Sequence, residues 1–201
     1  MKIGILGGTF DPVHNGHIKV AEIIKAQLDL AKVVFMPAGQ PWLKSDSPVS
    51  AAEHRVEMVR LAIAGCPGFE LSLLEINRPG PSYTADTIKE FRDNNGDGNE
   101  LFFILGQDSL SQLPRWKEPN RIIELCRLVA VPRPGYKLPD LKELERLIPG
   151  LSSRLVLLDK PEIDVSSTQV RRRVAEGLSI RGLVPEPVAE YIKRHKLYGC
   201  C

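Results

Sequence analysis

The sequence predicts an α/β fold: a Rossmann-like, doubly wound parallel sheet with a small C-terminal helical portion. Three observations predict it. Short apolar runs alternate with segments of helical period along the whole chain, which calls for a parallel sheet covered on both faces. The first apolar run stops at a Gly-Gly turn that leads into a helix. A central run, Leu101 to Leu105, is continuous, apolar and bounded by glycine, as a strand buried on both faces must be.

Lys2 to Leu6 is the first strand, and Asn15 to Leu30 has the apolar spacing of a helix. Lys32 to Pro37 is a second strand, giving a β-α-β unit long enough for a parallel crossover. Ala38 to Ser50 has loop composition. Ser50, with Glu53 three residues on, predicts a capping box for a helix that ends near Gly65. Phe69 to Ile76 is expected as a strand, broken by Arg78-Pro79-Gly80-Pro81. Ser82 to Arg92 is a helix, stopped by the turn cluster Asn94 to Gly98. Strands follow at Leu101 to Leu105 and Arg127 to Val131. Pro139 to Ile148 is a helix, Leu155 to Leu158 a last strand, and Val165 to Gly177 and Glu186 to His195 are closing helices. The expectation is a single domain over residues 1–201, with 159–201 as a C-terminal helical subregion.

The 201 residues carry a net charge of +2, with 43% hydrophobic and 26% charged residues, so a core is affordable without staples and a broadly basic nucleic-acid coat is excluded. No apolar run approaches ~18 residues, and Ile3 to Leu6 is too short for a signal peptide, so the expected compartment is the cytoplasm and no membrane partner is expected. Cys66 and Cys126 sit in apolar stretches and are expected to be buried. Cys200 and Cys201 are expected to be a plain tail rather than a prenylation site.

The segment Gly7-Gly8-Thr9-Phe10-Asp11-Pro12-Val13-His14-Asn15-Gly16-His17 joins the first strand to the first helix. Ligands of open α/β sheets bind at such strand ends. The two glycines let backbone approach a phosphate, and a helix start adds N–H groups and a positive dipole end. No G-x-G-x-x-G or Walker motif is present. In their place stand His14 and His17, three apart at a helix start and able to face one side at ~5–6 Å between Cβ atoms. Nucleotidyl transfer needs positioning and charge neutralisation on phosphate oxygens, which two imidazoles can supply. A zinc site is disfavoured, because a third ligand is missing nearby.

A second segment, Val165-Ser166-Ser167-Thr168-Gln169-Val170-Arg171-Arg172-Arg173, places three hydroxyls at a helix N-terminus, with Arg171 one turn in, a pattern suited to an anion. Taken alone it fits an N-cap and a basic surface helix better. In mid-chain, Pro81-Ser82-Tyr83-Thr84 offers hydroxyl and N–H groups at another helix start. Ile104-Leu105-Gly106-Gln107-Asp108 ends the central strand, and Trp116 in Leu113-Pro114-Arg115-Trp116 can stack on a flat heterocycle.

Gly8-Thr9-Phe10-Asp11-Pro12-x-His14-x-Gly16-His17 resembles the T/H-x-G-H motif of the nucleotidyltransferase α/β superfamily, and Val165 to Arg171 resembles its I-S-S-T-x-[IV]-R element. The P-S-Y-T-x-D-T, G-x-D, L-P-x-W and Arg133-Pro134-Gly135 segments are similar to those of the bacterial nicotinate-nucleotide adenylyltransferases, from Lys2 to Tyr198. The resemblance implies transfer of AMP from ATP to nicotinate mononucleotide, releasing pyrophosphate, in NAD synthesis. It implies catalytic roles for His14 and His17. It assigns ATP to Gly7, Gly8, Thr9, Phe10, Gly16, Gly106, Asp108, Ser166, Ser167, Thr168 and Arg171. The mononucleotide falls to Lys44, Tyr83, Thr84, Trp116 and Arg133. Where the family often has P-P-H-K, this chain has Pro41-Trp42-Leu43-Lys44, which keeps only the first proline and the lysine.

The expected partners are ATP and nicotinate mononucleotide, with no nucleic acid, and homo-oligomers are left open. Mg²⁺ is expected to arrive with ATP, with no permanent metal site. The rivals are the same chemistry on pantetheine phosphate, a non-catalytic nucleotide sensor in the same cleft, and an RNA-binding relative of tRNA ligases. Pantetheine-phosphate enzymes are usually shorter and lack P-S-Y-T and L-P-x-W. A sensor would bind ATP without releasing pyrophosphate.

Overall fold

The computed structural model describes residues 1–41, 49–160 and 164–199. Trp42, Leu43, Lys44, Cys200 and Cys201 lie outside the described residues.

Among the described residues six strands form one parallel sheet: β1 (Lys2–Gly8), β2 (Lys32–Pro37), β3 (Phe69–Leu71), β4 (Glu100–Gly106), β5 (Arg127–Val131) and β6 (Leu155–Leu157), in the order β3-β2-β1-β4-β5-β6. The order reverses between β1 and β4. Such a switch point opens a crevice at the carboxyl ends of the strands. Ile5 lies opposite Val34 on one side and Phe103 on the other.

The apolar runs lack polar alternation because both sheet faces are covered. Ile3, Ile5, Val34, Met36, Phe103 and Leu128 point into one core layer. Their chain neighbours Leu6, Val33, Phe35, Ile104 and Val129 point into the other. The first layer is closed by α4 (Thr84–Asn95), α5 (Gln107–Gln112), a 3₁₀ turn at Leu113–Arg115, α6 (Pro119–Leu125), α7 (Leu141–Leu147) and α8 (Leu151–Arg154), through residues such as Ile88, Leu110 and Ile122. The second is closed by α1 (Asn15–Gln27), α2 (Ala52–Ile63), α9 (Ser167–Ala175) and α10 (Glu186–Arg194), through Ile24, Val59, Val170 and Val188. The helices after residue 159 therefore extend the layer begun by α1 and α2. No helix among the described residues is long and apolar enough to cross a membrane.

Several expectations need correction. Ser50 does not cap α2: Ala51 is the N-cap, without a side-chain bond, while the backbone N–H of Ser50 donates to Asp11 and its carbonyl accepts from Arg55. The strand expected over Phe69 to Ile76 stops at Leu71, where pairing with β2 runs out, and α3 (Leu74–Asn77) follows. Cys126 is buried as expected, but Cys66 is only partly buried. Short α5, α6 and α8 fall where no helix was expected.

Candidate active site

β1 delivers the first motif to the crevice. Gly7 packs closely on β4: a Cβ there would stand 3.1 Å from the Phe103 ring, which would have to shift. Phe10 turns the chain with a left-handed φ of 51° and is itself buried. It forms the floor beneath the site, its ring meeting His17 edge-on at 4.9 Å. After cis-Pro12, His14 is extended and becomes the N-cap of α1.

The two imidazoles stack at 3.7 Å between centroids, 25° from parallel. The backbone N–H of His14 donates to His17 Nδ1 at 3.1 Å. Neutral His17 therefore carries its proton on Nε2, as a donor. His14 is buried, and burial first and the Arg133 charge second lower its pKa from 6.5 to about 4. It is neutral at physiological pH.

A cavity of about 340 Å³ opens here, between β1 and β4. Gly7, Gly8, Thr9, His14, Gly16 and His17 line one side. Gly106, Asp108, Thr84, Trp116 and Arg133 line the rest, joined by Glu75, Ser82 and Phe103. Asp108 Oδ2 is paired with Arg133 at 2.7 Å. Any Cβ at Gly106 would run into the Asp108 carboxylate. Trp116 stands perpendicular to Phe103, with centroids 6.2 Å apart. His14 Nδ1, Asp108 Oδ1 and Trp116 Nε1 are buried with no hydrogen-bond partner among the described residues. Buried polar atoms are nearly always paired, and three exceptions around one cavity mark a place built for a polar ligand.

The second motif does come to the first, across 155 and 160 residues of sequence. It does not form the cavity wall: among Val165 to Arg171, only Val165 does so. The Ser167 hydroxyl donates to Pro12 O at 2.8 Å, and Arg171 Nη1 donates to Asp11 O at 2.7 Å. Arg171 also reaches Thr168 Oγ1 at 3.4 Å, and Ser166 caps α9 by accepting the Gln169 N–H. These residues brace the loop that carries the histidines.

Tyr83 is the N-cap of α4, beside the cavity rather than in its wall, with Lys117 Nζ 4.8 Å from its ring centroid. Its backbone N–H donates to Pro81 O. Lys44, with Trp42 and Leu43, is outside the described residues.

Two supports escaped the sequence reading. Arg55 is 2% exposed and donates to the carbonyls of Thr9, Ala38, Gly39 and Ser50, tying the β1–α1 loop to both ends of the β2–α2 connection. Burial lowers its pKa, opposed by Asp11. A signal existed: Arg55, Val59 and Ala62 share one buried helical stripe, so the charge stands where an apolar residue is expected. Glu75 faces the cavity from α3, its carboxyl raised by burial and accepting from Thr87 at 2.7 Å. Ser82 Oγ accepts the N–H groups of Gly39 and Gln40, which fixes the cavity rim.

The model of the family described as cytidylyltransferase-like matches residues 5–173. A relative from Dehalococcoides mccartyi (strain ATCC BAA-2266 / KCTC 15142 / 195), described as "Probable nicotinate-nucleotide adenylyltransferase", is 51% identical, with 98% of this chain and 97% of that protein covered. One from Thermomicrobium roseum, with the same description, is 46% identical over 98% of this chain and 91% of its own length. Among solved structures, a Plasmodium falciparum nicotinic acid mononucleotide adenylyltransferase complexed with NaAD matches with a TM-score of 0.81 at 19% identity, covering 98% of this chain and 97% of that one. At that identity the likeness speaks for the fold.

Proposed function

This chain belongs to the cytidylyltransferase-like family and, within reach of its 51% identical relatives, to the nicotinate-nucleotide adenylyltransferases, and from that premise we propose that it joins AMP from ATP to nicotinate mononucleotide. A 5′-phosphate oxygen of the mononucleotide attacks the α-phosphorus of ATP. The bond from that phosphorus to the bridging oxygen of the β-phosphate breaks. Pyrophosphate leaves with the electron pair, and nicotinate adenine dinucleotide is formed. The reaction belongs to NAD biosynthesis.

The observation that carries this reading is the stacked pair His14 and His17 at the sheet's switch point, above a helix N-terminus. Such a transfer asks for alignment and for neutralisation of charge on the α-phosphate. His17 Nε2–H donates to a non-bridging α-phosphate oxygen. His14, neutral and desolvated, holds His17 by stacking and donates a ring N–H to a phosphate oxygen once ATP is bound. The N–H of Asn15 is taken by Leu183 O and that of His17 by His14 O, so α1 contributes mainly through its dipole. Gly7, Gly8, Thr9, Gly16, Gly106 and Asp108 bound the space for ATP. Ser166, Ser167, Thr168 and Arg171 hold the histidine loop beside the triphosphate. Phe10 supports it from below.

The acceptor takes the Thr84 and Trp116 end. Trp116 stacks on the pyridine ring, and Tyr83 and Arg133 flank the ring carboxylate and the phosphate; Lys44 is assigned to the mononucleotide on its sequence motif alone. We assign Mg²⁺ to the substrate, entering on the ATP phosphates. Mg²⁺ keeps several waters and leans on phosphates, which suits entry with the nucleotide. Charged nucleotides do not cross a bilayer unaided, so a cytoplasmic location is part of the same reading.

The test is pyrophosphate release from Mg²⁺-ATP with nicotinate mononucleotide, nicotinamide mononucleotide and pantetheine phosphate. The expected result is a kcat/KM at least roughly tenfold higher for the nicotinate form than for its amide, about 1.4 kcal/mol, and little turnover with pantetheine phosphate. Equal efficiency for both pyridine nucleotides would widen the acceptor class. ATP binding without pyrophosphate release from any acceptor would make the chain a sensor.

A further inference from the structure

We propose that Tyr198 is a positioning residue for adenylyl transfer, holding Asp11 and through it the loop that presents His14. The proposal rests on the adenylyltransferase reading. Neither Tyr198 nor Asp11 lines the cavity, so neither is placed to touch substrate.

Tyr198 lies beyond α10. Its hydroxyl donates to Asp11 Oδ1 at 2.6 Å, the short distance of a hydroxyl-to-carboxylate bond. Asp11 is 4% exposed, and His14 is three residues further along the same loop. A buried carboxylate has to be bonded on every side to be tolerated. Asp11 meets that demand from three distant segments. Oδ1 takes Tyr198, Oδ2 takes the Ser50 N–H at 3.2 Å, and the residue's own carbonyl takes Arg171. The Arg55 guanidinium adds an attractive charge. The loop from Thr9 to Val13 belongs to no helix or strand, so these contacts set where His14 begins α1.

The chain takes an unusual route to deliver the hydroxyl. Lys196 and Tyr198 both adopt left-handed backbone, with φ of 50° and 61°, although neither is glycine. Such residues are uncommon and persist where surrounding contacts hold them. Leu197 and Tyr198 pack on the second core layer, and the Leu197 N–H returns to Ile192 O. Burial and the neighbouring carboxylate push the phenol far above its ordinary range, so Tyr198 stays the donor wherever the enzyme works.

The result is a restraint on geometry. A misplacement of about 1 Å in a catalytic group can cost 10²-fold in rate while leaving ground-state binding alone. Tyr198→Phe keeps the packed ring and removes only the hydroxyl. The experiment compares full-length wild type, Tyr198→Phe, Asp11→Asn and the double variant, by steady-state kinetics, binding of a non-cleavable ATP analogue, and thermal melts. In Tyr198→Phe, kcat should fall roughly tenfold or more while KM for either substrate and analogue affinity change less than about threefold. The melting midpoint should fall by about 2–10 °C, because one oxygen of the buried Asp11 carboxylate loses its partner, with the protein still folded at the assay temperature. The double variant should be no slower than the slower single variant, because both break one bond.

A Tyr198→Phe kcat within twofold of wild type overturns the proposal. So does a loss explained by a smaller folded fraction, or full additivity with Asp11→Asn. Should Asp11→Asn not fold, the split between kcat and KM in Tyr198→Phe still decides. Wild type that releases no pyrophosphate with any acceptor sinks the adenylyltransferase reading itself. An active wild type with an equally active Tyr198→Phe sinks only the role of Tyr198.

Discussion

His17 Nδ1 accepts the backbone N–H of His14 at 3.1 Å while the two rings stack at 3.7 Å, so the peptide that begins α1 sets the tautomer of neutral His17 and the His14 ring holds its plane. Both rings line the same cavity. The first two predictions separate the two histidines.

His17→Ala removes the Nε2–H donor, the stack on His14 and the edge contact with Phe10. Deleting one donor to developing phosphoryl charge costs about 10²–10³ in kcat. Turnover should fall in that range, with the ATP KM changed less than about threefold and the melting midpoint lowered by only a few degrees. Full turnover in the variant would remove His17 from the mechanism.

His14 makes the ligand-free protein pH-sensitive. Its folded pKa, about 4, lies below the unfolded value of 6.5, because burial and then Arg133 disfavour the cation. The unfolded chain therefore binds more protons between these values, and stability falls as pH drops from about 6.5 to about 4. The loss is on the order of 2–4 kcal/mol. Glu75, whose folded pKa is raised, acts in the opposite direction, losing stability as pH rises through its range. Urea unfolding of wild type and His14→Gln at pH 7.5 and 4.5 isolates the histidine. Wild type should lose more stability over this interval, and equal losses would show that His14 is not desolvated.

Arg55→Lys should be far from conservative. Lysine has three donors on one atom and cannot reach the four carbonyls that the guanidinium fork serves. Leaving two of them unpaired costs about 3–5 kcal/mol, a fall in melting midpoint of roughly 10 °C in a chain of this size. Differential scanning calorimetry measures it directly, and a shift under ~3 °C would mean that water replaces the clamp.

Trp116→Ala should separate the two substrates. The KM for nicotinate mononucleotide should rise roughly tenfold or more, as one aromatic contact and its buried area are lost, while calorimetric ATP affinity stays within about twofold. Weaker ATP affinity with an unchanged mononucleotide KM would place Trp116 at the ATP end instead.

The sheet and the site core were legible for a specific reason. Leu101 to Leu105 and Arg127 to Val131 are buried on both faces, so their composition alone marks them, and β5 has the predicted bounds. The histidine turn was legible because strand, glycines and helix start are contiguous. Tertiary demands hid the rest. Ser50 has the composition of a cap, but Asp11 and Arg55 claim its backbone. Phe69 to Ile76 has strand composition, but its partner strand supports only three residues. Arg171 carries the motif of a phosphate ligand, and only the fold reveals the Asp11 carbonyl against it.

The place of β1 between β2 and β4 bears on synthesis. Ile3 to Leu6 are made about a hundred residues ahead of β4, so one flank of their backbone pairs only when residues 100–106 arrive. At about 5–20 residues per second that interval is on the order of 5–20 s, during which an apolar strand keeps an open edge able to pair with other chains. Helix α1 and β2 emerge in between and cover one face and one edge. Variants that slow the pairing of β1 with β2, such as a proline at Val34, should therefore show in cells as aggregation of newly made chains before any defect in the finished enzyme is measurable.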